Sequence, residues 1–289
     1  MNYRLTKTFA VLALAAISLA SLQDGVLIRR VLKENSKDTY KVESVTKFSV
    51  DTPAGAQEGS ATTLTTIEAK MGALKDNGSA AAYTMTTTTD KLEMDGMMGA
   101  NAPTPDKVPP VTIEGIIDSQ NRITGAKPVG KASMNPMQML GGSEAAQFGL
   151  FVQFPDKAVK EGDTWTINVP ASMMTGKEAQ TLTAKFVGTR DVDGQKLYVV
   201  SVSGKVKIEP DMDAMKKAMT EGGNDPTMGM DLKIKGTADI DAENLIDPAT
   251  GSTVSAKTHV KGATDVEIVQ MSMQMKATSD TTVKMTLKK

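Results

Sequence analysis

The chain is expected to be mainly β, an antiparallel curved sheet or half-barrel with a few short helices. Three observations lead there: alternation of period two recurs along it, Thr and Val supply β-branched residues that strands favour, and helical signals are few. In "TYKVESVTKFSV", Tyr40, Val42, Phe48 and Val50 share one parity while Lys41, Glu43, Lys47 and Ser49 take the other. Successive strand side chains point to opposite faces, so one face is dry and the other wet.

The same reading places strands at 25–32, 39–50, 61–70, 80–90, 111–117, 122–127, 164–169, 181–189, 196–209, 231–240, 253–261, 264–277 and 282–288. The last two form a hairpin about "TSDT", with Val269, Met271, Met273, Met275 and Ala277 on one side of the turn and Val283, Met285 and Leu287 on the other. Antiparallel neighbours with one solvated face account for such alternation economically.

Three short helices are expected. "NPMQMLGG" offers Asn135 as N-cap, Pro136 at the first helical position and Gly141 as a stop, and "SEAAQFGLF" starts on Ser143. In "PDMDAMKKAMTEGG", Asp211 caps, Met212, Met215 and Met219 fall at i, i+3 and i+7, and Gly222 ends the run. Lys216 and Lys217 need water, so this helix lies at the surface with its methionine stripe covered, as a flap beside the Gly- and Pro-bearing "EGGNDPTMGM". Residues 94–110, "MDGMMGANAPTPDKVPP", read as a surface loop.

The N-terminus indicates the compartment. Arg4 and Lys7 precede an apolar run from Phe9 to Ala20, a pattern of a secretory signal peptide, with cleavage expected after Ala20. That run is shorter than the roughly 20 residues a spanning helix needs, and no other stretch can cross, so the processed chain is expected not to span a membrane. Export to the periplasm or the extracellular space follows. The chain has no cysteine, which excludes disulfides, thiolate metal sites, thiol nucleophiles and a lipobox anchor. Without Arg4 and Lys7 it carries 31 basic against 34 acidic residues, a net charge of −3, and has no electrostatic reason to bind nucleic acid. Residues 21–289 are expected to form one β-rich domain; two packed halves, 21–130 and 131–289, are the alternative division. Aromatic residues make up 4% of the chain against 20 methionines, so its core uses small and flexible side chains.

The segment "FPDKAVKEGDTW" ends on the chain's one tryptophan, Trp165, and is followed by a Gly-x-Ala-x-Ile-Asp segment from Gly236 to Gly251. Over residues 145–262 this pattern resembles a group of exported bacterial proteins classed as a domain of unknown function, with the Met-rich insert at 210–230 departing from it. The resemblance implies no activity. At the level of architecture alone, the chain is similar to half-barrel periplasmic carriers of lipoproteins and lipids. Trp165 itself, a large ring entering a strand after a turn, is expected to be a structural anchor.

Catalytic constellations are missing from the sequence: it contains no GxSxG elbow, HExxH helix or phosphate-binding glycine loop. The one histidine, His259, has no histidine partners for a metal site and reads as an ordinary strand residue. Asp239, Asp241 and Glu243 have the spacing that opens a calcium loop, but Asn244 stands where glycine is needed and Thr250 where a bidentate carboxylate is needed, so they read as a solvated turn, like Asp191 and Asp193. Methionine clusters could hold Cu(I), although alternate Met in "MSMQM" and the helical stripe are core positions first. No catalytic residue, metal site or cofactor is therefore assigned. The favoured expectation is a non-catalytic protein binding a hydrophobic small molecule or lipid, with Met212, Met215 and Met219 as the ligand-binding residues. The alternatives are an envelope structural or interaction protein and a Met-based Cu(I) binder.

Overall fold

The computed structural model describes residues 25–53, 55–96, 109–129, 152–171, 175–213 and 231–288. Its strands are β1 (Lys37–Thr52), β2 (Gly55–Lys75), β3 (Ala80–Gly96), β4 (Val111–Asp118), β5 (Ile123–Pro128), β6 (Thr164–Val169), β7 (Gln180–Val192), β8 (Gln195–Ile208), β9 (Leu232–Ile246), β10 (Thr253–Ile268) and β11 (Met273–Leu287). They form one 11-stranded sheet in the order β5-β4-β3-β2-β1-β11-β10-β9-β8-β7-β6. Every neighbouring pair is antiparallel. Two meanders thus run outward from the central β1–β11 ladder, and β5 and β6 become opposite edges of an unclosed sheet. The fold class expected from the alternation is the one observed.

One parity of each strand faces inward. On β1 it is Tyr40, Val42, Ser44 and Thr46; on β11 it is Met285, Val283 and Thr281, directly opposite the last three. Two buried clusters share this face, one built mainly on β6–β9 and the other on β1–β4, β10 and β11, and Val260 packs against both. The sheet therefore curves around its own core.

One end of the sheet is closed by two non-strand segments. Residues 25–33 run across it and meet residues 152–160 through paired bonds, Val26 N to Val159 O at 2.8 Å and Val159 N to Val26 O at 2.9 Å. Arg30 N donates to Ser119 O in the β4–β5 turn, and Val31 N donates to Thr250 O in the β9–β10 turn, so one strap ties together turns from both meanders. Ile28, Val152, Phe154 and Val159 enter the β6–β9 cluster. Burying one such apolar side chain contributes about 1.5–3 kcal/mol. Gly251 has φ +66°, and a Cβ there would lie 2.0 Å from Arg29 O, so only glycine lets the strap cross this turn.

Several expectations need correction. The strand at 25–32 is this strap: its backbone partners are turns and one isolated bridge, so it joins no ladder. The strands at 253–261, 264–277 and 282–288 are really two. β10 continues through Gly262, which pairs with Ser279, and the chain reverses at Val269–Met271 with Ser272 left-handed at φ 49°. "TSDT" lies inside β11, where hydroxyl and acid residues meet cross-strand partners and do not turn the chain. "DIDAEN" is likewise strand β9, and the turn comes after it at Asp247. The helices expected from Asn135 and Ser143 and the signal peptide lie outside the described residues, as do residues 97–108 of the expected loop. Of the third helix, Met212 and Asp213 are described and helical, and Met215 and Met219 lie outside the described residues.

Candidate ligand-binding site

The inward face changes character along the strands. Near the strap one rung is apolar except for the buried Asn244: Val42, Met285, Ala256, Asn244, Val200 and Phe186 stand side by side across β1, β11, β10, β9, β8 and β7. The next two rungs carry buried hydroxyls on the central strands, Ser44, Thr63 and Thr258, then Thr46 bonded to Thr281 at 3.0 Å. At the same levels β7–β9 remain apolar, with Ala184, Val202, Ala242, Leu182 and Ile240. Ser44 Oγ is buried without a hydrogen-bond partner.

Beyond these rungs the inward side chains emerge. Ile234, Val266 and Met275 form one rung across β9, β10 and β11, and Leu232, Ile268 and Met273 form the next. Of these six only Ile268 is buried, at 9% exposure; the other five are half-buried. This is an apolar patch on the core-bearing face, past the level at which the core closes. Alternation on β9 to β11 was its sequence signal, but that signal is the same for a filled and an unfilled face.

A groove of about 670 Å³ crosses the sheet two inward rungs nearer the core, at the level of Phe48, Ser279 and Gly262. Its lining comes from both parities: Lys47, Glu58, Asp95, Lys261 and Asp280 from the outward one, and Phe48, the one large apolar residue, with Gly59, Gly262 and Ser279 from the inward one. Charges of both signs neighbour one another there, Lys47 and Lys261 each opposite Asp280 in register. His259 Nε2 lies 2.7 Å from Asp280 Oδ1, so the histidine is a strand residue in an outward charge ladder. Such a mixed surface selects neither anions nor cations. Met212, half-buried, is not among the groove's lining residues.

Carboxylates expected in a turn line the outward face of β9. Asp239 meets Lys205 at 3.3 Å, and Glu243 takes a two-pronged contact from Arg190 at 2.7 and 2.9 Å. The hydrogen bonds from Arg190 hold the Glu243 carboxyl below the usual carboxylate range. Among the described residues no group of three or more His, Cys, Asp or Glu side chains could hold a metal ion. Of "MSMQM", Met273 and Met275 face inward together while Met271 sits in the turn, 60% exposed, so the three do not share one strand face.

Under the strap, Arg30 pairs with Asp38, which also accepts from Tyr40 Oη at 3.3 Å and Ser252 Oγ at 3.4 Å. Burial works against the Arg30 charge, but Tyr40 and Asp38 outweigh it and raise its pKa; burial pushes the Tyr40 phenol upward. These groups fasten residues 25–33 to β1. Trp165 also fastens: its indole N–H donates to Gln153 O at 2.6 Å, and the Gln153 side chain bonds both Asn168 N and Asn168 O on the free edge of β6. The tryptophan is half-buried against the β6–β9 cluster, a structural anchor for the 152–160 segment.

No protein-family model matches the chain, and no curated protein matches it. Among solved structures, two crystal structures show a likeness to the chain. One is a DUF1329 family protein from Desulfovibrio piger ATCC 29098, with 10% identity over 86% of this chain and 83% of that one and a TM-score of 0.17. The other is a putative outer membrane lipoprotein-sorting protein domain from Vibrio parahaemolyticus, with 8% identity over 86% and 83% of the two chains and a TM-score of 0.18. At these TM-scores neither likeness bears on function. Among the described residues, no helix is long and apolar enough to cross a membrane.

Proposed function

We propose that this is an exported, non-catalytic protein that binds a hydrophobic small molecule or lipid on the inward face of β9–β11. The observation that carries the reading is the half-buried patch of Leu232, Ile234, Val266, Met273 and Met275, on the same face of the sheet as the core. Ligand sites are mostly apolar with few polar groups, and two of these side chains are methionines, which re-pack around different shapes at small cost. The helix beginning at Met212 is the proposed flap, with Met212, Met215 and Met219 toward the ligand.

Fluorescence titration with a soluble hydrophobic dye and with a monomeric fatty acid tests this. Wild type should bind saturably, and Ile234→Ser with Met275→Ser should weaken binding at least about tenfold, the equivalent of 1.4 kcal/mol. The outward-facing Lys276→Ser should not. Replacing Met212, Met215 and Met219 by Ser should also weaken binding while leaving the β circular dichroism intact. Wild type that binds neither probe would sink the reading and favour an envelope interaction protein. Export is tested separately: processed protein should begin at Ser21.

A further inference from the structure

The two edges of the sheet are defended by different means. β5 ends on Lys127 and Pro128, has Gly125 at φ +63°, and pairs with β4 through a register shift between Glu114 and Ile116. Lysine, proline and bulges are ordinary ways of keeping an edge strand from pairing with another chain. β6 has none of them. Its six residues, TWTINV, carry no charge, proline or glycine, pair with β7 in unbroken register, and have the composition that recruits a further strand most readily.

A side chain occupies this edge instead. Gln153 Nε2 donates to Asn168 O at 2.8 Å and Gln153 Oε1 accepts from Asn168 N at 3.2 Å, so one carboxamide makes the pair of bonds that a neighbouring strand would exchange with Asn168. The backbone that carries it is fixed on both sides: Trp165 Nε1 donates to Gln153 O at 2.6 Å, Asn121 Nδ2 donates to Val152 O at 3.2 Å, and Phe154 N donates to Gln120 O at 2.8 Å. Since the Asn168 groups point away from β7, those of Thr166 do too, and they meet no other described residue. Gln180 repeats the device past the last β7–β8 pair, donating to Lys207 O at 2.9 Å and accepting from Lys207 N at 2.6 Å, but there Lys205 and Lys207 themselves charge the strand.

We propose that Gln153 is a stopper that holds the β6 edge closed against the β6 edge of a second copy. The strand is self-complementary. About a two-fold axis at Thr166, antiparallel pairing sets Thr164 against Asn168 and Trp165 against Ile167, with no like charges opposed and the apolar parity of both copies on one face. A six-residue edge buries less than the about 800 Å² per partner of a standard interface, so the pairing released by losing the stopper is weak and depends on concentration.

Sedimentation velocity over a concentration series tests this on the processed full chain. Wild type should remain a monomer throughout. Gln153→Ala should gain apparent mass with concentration, toward about twofold, with unchanged circular dichroism. Gln153→Met, which keeps the side chain's length and removes both bonds, should do the same. Adding Thr166→Pro to either should restore the monomer, because proline there removes only an N–H that faces away from β7. Thr166→Lys should restore it as well, by opposing like charges across the axis. Gln180→Ala should stay monomeric. The stopper is overturned by a wild type that already dimerises, by Gln153→Ala and Gln153→Met that do not, by a dimer that survives both changes at Thr166, or by equal dimerisation of Gln180→Ala.

Discussion

The two ends of the same strands alternate alike and are buried differently. At the strapped end Tyr40, Val42, Ile246 and Met285 are at most 5% exposed, while on the same inward parity Ile234, Val266 and Met275 at the other end remain half-buried. What separates them is the covering layer. Ile28, Val152, Phe154 and Val159 fill the first end and bring the strap's polar backbone with bonded partners. An amphipathic strand therefore specifies which face is apolar, not whether anything covers it.

The difference between the two ends depends most directly on the strap. Ile28→Ala should cost about 2–5 kcal/mol by deleting a 1% exposed side chain from the β6–β9 cluster. Arg30→Ala leaves the half-buried Asp38 without its cation, and losing hydrogen bonding to a charged group costs about 1.5–3 kcal/mol. Urea unfolding measures both, and a loss under about 0.5 kcal/mol, the range of surface substitutions, would show that the strap does not close that end. A smaller effect is expected for Trp165→Phe, which keeps most of the ring but removes the donor to Gln153 O; losing that bond should cost about 0.5–1.5 kcal/mol. Greater amide exchange in residues 152–156 should accompany it.

At the open end, Met275→Ser should change stability by no more than about 0.5 kcal/mol. A loss as large as that of Ile28→Ala would mean the open end is packed like the strapped one. The smallest effect belongs to the outward face of β9. Because Arg190 holds the folded-state pKa of Glu243 below its unfolded value, the pair's contribution is complete above the unfolded carboxylate pKa, about 4.3, and is lost as pH falls through the lower folded value. Carboxyl chemical shifts followed by nuclear magnetic resonance should show Glu243 titrating below an ordinary glutamate, and Arg190→Gln should return it to the usual range.

The class of fold and most of its strands are legible in the residues alone, because a period of two and β-branched residues are local properties that survive any arrangement of neighbours. β6 matches its expected bounds for that reason, and His259 is the strand residue its context indicated. Tertiary structure decided everything that depends on a partner distant in sequence. "TSDT" and Gly262 have the composition of turns, yet cross-strand pairing kept both inside long strands and moved the reversal to Val269–Met271. Residues 25–32 alternate as a strand does, but Ser119, Thr250 and Val159 took up their backbone bonds and made them a strap. The candidate site was half legible for the same reason. The apolar parity of β9–β11 was written in the sequence; its position past the level of the strapped core was not, because exposure depends on what packs above a face, and no local pattern encodes that.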